Sequence, residues 1–153
     1  MNLPLGTLVL WAALSGSNTG DTVYTDYKEA YLAGKAASRP VLVIINPGAD
    51  EESKPVEVEM LRRSAVRRDL LENYVVAVID SSTPEGQKVH KLFDSPQLPR
   101  VSVIDNKQKM QIYRTSRPLT AEDWNLVLER YRTGQPPAVA KPACNCPLLN
   151  AAR

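Results

Sequence analysis

Apolar residues along the middle of the chain fall into four short runs separated by longer amphipathic stretches. Residues 41–45 and 74–79 are continuous and rich in β-branched side chains, which is typical of strands buried on both faces of a sheet. Residues 101–104 and 110–113 flank the polar segment 105–109, and this arrangement predicts an antiparallel hairpin. The pattern therefore predicts four strands, of which the last two are neighbours.

The amphipathic stretches carry apolar residues at helical spacing. Thr25 or Asp26 can cap the first helix, because a short polar side chain can accept a hydrogen bond from the free backbone N–H groups of a helix start. The second helical stretch covers residues 53–71, with Ser53 as its cap and a break near Ser64.

Two further helices follow along the chain. Pro84 suits the first turn of one, and Thr120 with Asp123 comes close to a capping box that opens the other. The spacing on the last helix turns Trp124 and Tyr131 inward. The order helix, strand, helix, strand, helix, strand, strand, helix predicts an α/β sandwich around a mixed sheet.

Both ends of the chain differ from the predicted domain, which covers residues 21–132. Residues 3–14 form an apolar stretch too short to span a bilayer, so residues 1–20 indicate a signal peptide or else a buried N-terminal segment. Cleavage predicts export to the periplasm or the medium, and an intact segment predicts a cytoplasmic protein; we expect no membrane span in the mature chain. Residues 133–153 hold four prolines and no periodic apolar face, which predicts a flexible Pro-rich tail.

Composition narrows the class of protein without naming an activity. The 153 residues are 43% hydrophobic and 24% charged, which excludes both wholesale disorder and a membrane protein in bulk. The net charge is only +2, from 19 basic and 17 acidic residues, and predicts no polyanionic partner. A basic patch on the second helix is interleaved with acids and lacks stacking aromatics, so we expect a solvated surface and no nucleic-acid binding. The patch comprises Arg62, Arg63, Arg67 and Arg68.

Cys144 and Cys146 are the only cysteines, and His90 is the only histidine. This set is too small for a disulfide framework or an ordinary zinc site, so we predict no metal and no cofactor. A Cys-x-Cys disulfide closes a strained ring that is easily reduced, so this pair could exchange thiols. The alternative is a tail whose cysteines have no role in the fold.

The order of elements, together with Leu98-Pro99 directly before a strand, resembles the thioredoxin-like family. The matching segments are residues 36–45, 71–80 and 98–105. The resemblance implies a three-layer α/β sandwich, with a central mixed β-sheet flanked by helices. It also implies that the Leu98-Pro99 peptide is cis, in a loop that faces the active-site cysteines of relatives and helps them bind extended peptide.

The cysteine pair that redox-active relatives carry after the first central strand is missing here. The resemblance places Asp50 and Ser53 at the two cysteine positions, and neither side chain can exchange thiols. We expect Asp50, Glu51 and Glu52 to lie beside a helix N-terminus, where negative charge is stabilising. The same acids could instead hold a hard cation or act as a base, but no histidine, lysine or spaced acidic motif accompanies them.

We therefore predict a redox-inactive thioredoxin-like domain that acts as an interaction module for a protein or an extended peptide. The alternative is a thiol-disulfide oxidoreductase that uses Cys144 and Cys146 on the tail. The predicted binding residues lie on two loops and are Asp50, Glu51, Glu52, Ser53, Leu98 and Pro99.

Overall fold

The computed structural model describes residues 21–49, 51–94 and 96–138, which form five strands and five helices. The strands are β1 (Val23–Tyr24), β2 (Val41–Asn46), β3 (Val75–Asp80), β4 (Arg100–Ile104) and β5 (Gln111–Thr115). The helices are α1 (Tyr27–Ala37), α2 (Val58–Arg62), α3 (Ala65–Leu71), α4 (Pro84–Leu92) and α5 (Ala121–Tyr131). Except for β1, each strand has a counterpart in the predicted pattern.

The strands form one mixed sheet in the order β1-β3-β2-β4-β5. The first three in this order are parallel, and β4 and β5 each run antiparallel to their neighbour. β2 lies at the centre, where Val43 pairs with Ala77 on one side and with Ser102 on the other. β1 has only two residues, too few to show a strand periodicity in the sequence.

Helices cover both faces of this sheet and bury a separate apolar core on each. α1 and α4 pack on the face that carries Val43 and Ile45, whereas α2, α3 and α5 pack on the face that carries Leu42 and Ile44. All four of these β2 side chains are fully buried, which explains the unbroken apolar run in the sequence. The predicted three-layer α/β sandwich is confirmed.

Most of the predicted helix boundaries agree with the structure. Asp26 caps α1, since its Oδ1 accepts a hydrogen bond from the Glu29 backbone N–H at 2.9 Å. Thr120 and Asp123 form the capping box of α5 with reciprocal hydrogen bonds. Ser64 separates α2 from α3, at the predicted break.

The predicted start of the second helix is wrong. α2 begins at Val58, with Glu57 in the cap position, and residues 51–57 are irregular. Ser53 is therefore not a helix cap, and Glu51 and Glu52 do not lie beside a helix N-terminus. The physical reason is that the backbone of Val56 is hydrogen-bonded to a side chain of β2, which competes with a helical path through this segment.

Several predictions concern residues that the structure does not describe. Residues 1–20 and 139–153 are among them, so the signal peptide, the destination of the chain and the roles of Cys144 and Cys146 stay predictions. The flexibility of the tail stays a prediction for the same reason. No helix of the described residues combines the length and the apolar character needed to cross a bilayer.

Candidate functional site

The loop between α4 and β4 is held in place from the helix before it. The Nε2 atom of His90 lies 2.7 Å from the carbonyl oxygen of Pro96 and donates a hydrogen bond to it. The Leu98–Pro99 peptide bond further along this loop is cis, as the resemblance implied. His90, on the last turn of α4, thus fixes the path of the chain into the cis-proline.

A second loop, residues 47–57, is tied to the end of β2 by one side chain. The Nδ2 group of Asn46 donates to the Val56 carbonyl oxygen at 3.0 Å, and the Val56 N–H donates to Asn46 Oδ1 at 2.8 Å. Both backbone groups of Val56 are therefore satisfied by the same amide. This arrangement keeps residues 53–57 close to the sheet and brings them opposite the cis-proline loop.

Between these two loops and the start of α5 lies a cavity of about 680 Å³, which we call the groove. Its lining is mainly apolar. The loop after β2 and helix α2 contribute Val56, Met60 and Leu61, the cis-proline loop contributes Leu98 and Pro99, and the segment that leads into α5 contributes Pro118, Leu119 and Trp124.

The groove brings together some of the predicted site residues and leaves others outside. Ser53, Leu98 and Pro99 line it. Glu51 and Glu52 are exposed and do not line it, and Asp50 lies outside the described residues. The acidic part of the predicted site is therefore not part of the groove wall, as far as the structure describes it.

Sequence reasoning missed most of the apolar lining. Trp124 carried a signal, because its helical spacing predicts an inward position on α5, and it is 5% exposed. Val56, Pro118 and Leu119 lie in irregular segments, where no periodicity indicates which side chains face a cavity. Met60 is 46% exposed although it is large and apolar.

The groove also carries charged side chains: Lys54 and Glu57 line it, and Arg100 stands at its edge. Arg100, the first residue of β4, donates from Nη1 to the Ser116 Oγ at 3.1 Å, and Ser116 lines the groove. Burial lowers the pKa of Arg100 below its usual range, and the positive charge of Arg114 lowers it further. Its Nε is buried and has no hydrogen-bond partner. The groove thus joins an apolar surface to an incompletely paired guanidinium.

The described residues offer little for catalysis. They contain no cysteine, and no three acidic or histidine side chains among them are placed to hold a metal ion. Ser53 is exposed, and no hydrogen bond joins its hydroxyl to a potential base within the described chain. The arrangement can bury apolar groups and pair with an anion.

Solved structures of known proteins resemble this chain. A thioredoxin from Thermus thermophilus is 26% identical, with a TM-score of 0.55, over 70% of this chain and 83% of that chain. Thioredoxin O2 from Arabidopsis thaliana is 9% identical, with a TM-score of 0.52, over 71% of this chain and 90% of that one. A disulphide isomerase from Xylella fastidiosa Temecula1 is 18% identical, with a TM-score of 0.50, over 67% and 85% of the two chains.

No protein-family model matches the sequence, and no curated protein is significantly similar to it. The likeness to solved structures is consistent with the strand order and the layers described above. The chain therefore has a thioredoxin-like fold.

Proposed function

We propose that this thioredoxin-like domain is a binding module that holds an extended peptide segment of a partner protein in the groove. The observation that carries the proposal is the apolar cavity of about 680 Å³ beside the cis Leu98–Pro99 peptide. Its volume lies within the range of sites that enclose ligands. The segment between β2 and α2 contains no cysteine, so this site offers no dithiol chemistry.

An extended chain is a suitable ligand for an apolar groove between two loops. Such a segment can place alternate side chains against an apolar surface while its backbone groups stay free for hydrogen bonding. Met60 projects an exposed apolar side chain into the groove, and its contact with a ligand would remove that surface from water. The proposed partner is therefore a protein with an accessible apolar segment.

A selection of random heptapeptides displayed on phage tests this function with the whole chain as the bait. We expect enrichment of apolar heptapeptides, and their binding should be lost in Met60→Glu, because the new charge would be desolvated against the ligand. Met110→Glu is the matched control, since Met110 is similarly exposed, at 54%, and does not line the groove. Equal loss in both variants, or no enrichment at all, would contradict the proposal.

The same protein should be assayed for reduction of a protein disulfide, because the alternative function uses Cys144 and Cys146. We expect no turnover. Turnover that disappears in the variant with Cys144→Ser and Cys146→Ser would assign an oxidoreductase activity to these thiols and overturn the proposed binding module.

A further inference from the structure

Arg100 occupies an unusual position between the sheet and the groove. It follows the cis-proline Pro99 directly and opens β4. Its Nη1 donates to Ser116 Oγ, and both Pro99 and Ser116 line the groove. The guanidinium is therefore adjacent to the surface on which the proposed peptide would lie.

Within the part of the chain that the structure describes, Arg100 has no ion-pair partner. Its buried Nε has no hydrogen-bond partner there either. Arg114 adds a second positive charge nearby, and Asp94 is the acid that favours the charged form of Arg100. A half-buried charge without a counter-ion is costly, because it loses water and gains no equivalent interaction.

The Ser116 hydroxyl and the Arg100 guanidinium together offer two hydrogen-bond donors to a ligand. Its Oγ accepts the hydrogen bond from Arg100, so the hydroxyl proton is available to a further acceptor. An anion that reached both groups would receive a charge-assisted hydrogen bond from the guanidinium and a second bond from the hydroxyl. Planar carboxylates match the fork of arginine donors best.

We propose that the groove selects peptides in which a carboxylate side chain stands next to apolar residues, with the carboxylate bound by Arg100 and Ser116. This inference rests on the proposed function and names the chemical class of its ligand. The long segments outside the described residues do not fit this class, since residues 1–20 and 139–153 contain no Asp or Glu. We infer that the occupant is an acidic and apolar segment of another protein, whose charge complements that of Arg100.

The heptapeptide selection, run in parallel on the unchanged chain and on Arg100→Met, tests the inference. We expect Asp or Glu to be enriched beside apolar residues on the unchanged chain, and this acid preference to disappear on Arg100→Met. For a selected peptide, replacing the acid by its amide should weaken binding about tenfold to the unchanged chain and leave binding to Arg100→Met unaltered.

Each outcome separates the inference from the function on which it rests. Enriched peptides without an acid would overturn the inference and leave the proposed function standing, whereas no enrichment on either bait would contradict the function itself. Dimerisation of the protein that Arg100→Met abolishes would identify a second copy as the occupant and would also overturn the inference.

A variant that fails to fold would not obscure the result. Arg100→Met should melt at or above the temperature of the unchanged protein, because it removes an unpaired charge and keeps the volume of the side chain. Arg100→Lys keeps the charge without the fork of donors, so we expect it to retain part of the acid preference. If Arg100→Met lost the acid preference and Arg100→Lys kept all of it, positive charge alone would account for the selection, against the hydrogen-bonded pairing with the guanidinium and Ser116 inferred here.

Discussion

Tyr74 stands just before β3 with 1% of its surface exposed, and its hydroxyl donates to the carbonyl oxygen of Leu128 at 2.7 Å. The bond joins the sheet to α5 across one of the two cores. Burial raises the pKa of Tyr74 well above its usual value, and the nearby Glu129 and Tyr131 raise it further. The apolar run predicts that Tyr74 is buried, but its partner lies far away in the chain and has no signature in sequence.

We expect Tyr74→Phe to lower the free energy of unfolding by about 1 kcal/mol at neutral pH, since it removes the donor to Leu128. The raised pKa adds an alkaline effect. Above about pH 10 the unfolded chain releases the phenol proton while the folded chain keeps it, so stability falls as the pH rises.

Urea unfolding at several pH values between about 8 and about 11 measures both effects. Tyr74→Phe should lose less stability than the unchanged protein over the alkaline part of this range. A decline remains, because burial also raises the pKa of Tyr27 and of Tyr113. Tyr24→Phe, on the edge strand β1, serves as the control. Parallel stability curves for Tyr74→Phe and the unchanged protein would contradict the assigned role.

At the scale of elements, the start of a helix can be predicted where the capping residue and the N–H group that it binds are close in sequence. Asp26 and the pair Thr120 with Asp123 are such predicted caps, and the structure shows both; Thr83, which caps α4 before the predicted Pro84, was not predicted. The start of α2 could not be predicted in this way, because it depends on Asn46, which lies on a preceding strand. Because Val56 lines the groove, the position of this groove wall also depends on the contact between Asn46 and Val56.

Helix α4 lies unusually close to β3 at Gly86. A Cβ atom added there would stand 1.7 Å from the carbonyl oxygen of Asp80, a distance that only a shift of the backbone could relieve. We therefore expect Gly86→Ala to lower the free energy of unfolding by about 1–3 kcal/mol, despite the higher helix propensity of alanine.

Thermal and urea unfolding check this prediction at the scale of the helix. Gln87→Ala is the matched control, because Gln87 is exposed on the same helix and its replacement should change the stability by less than about 0.5 kcal/mol. A Gly86→Ala protein as stable as the control would show that α4 moves away from β3 at no cost.

At the scale of the whole molecule, the chain after α5 closes back onto the turn between β4 and β5. The Asn106 N–H donates to the Gly134 carbonyl oxygen at 3.1 Å, and Gln135 Nε2 donates to Asn106 Oδ1 at 2.9 Å. Gly134 has a φ of 67°, and an added Cβ would stand 2.6 Å from the Asn106 Cβ. These contacts join the last described segment to the opposite end of β4 from the groove.

Two shortened chains test how much the contacts of Gly134 and Gln135 with Asn106 stabilise the fold. A chain that ends at residue 138 keeps both hydrogen bonds, and a chain that ends at residue 132 loses them, so we expect the second to be less stable by about 1–2 kcal/mol. Denaturant unfolding of the two chains gives the difference directly. Equal stability of the two chains would mean that water replaces both hydrogen bonds of Asn106 at no cost in free energy.

Most elements of the molecule follow from its hydrophobic pattern, because most helices bury one face at helical spacing and the two central strands are unbroken apolar runs. The strand order cannot be read from periodicity, and the resemblance to a known family implied only a central mixed sheet. The groove was predicted only where that resemblance pointed, at Ser53, Leu98 and Pro99. Its other lining residues are assembled by contacts between distant segments, such as Asn46 with Val56.

The amide of Asn46 has a consequence for how the groove can move. One side chain supplies both the donor and the acceptor for Val56, so the two bonds are made and broken as a unit. We therefore expect the wall formed by residues 53–57 to leave the sheet in one step, when both bonds break together. A ligand too bulky for the attached state would have to break both bonds before it could bind, so we expect affinity to fall abruptly with ligand size.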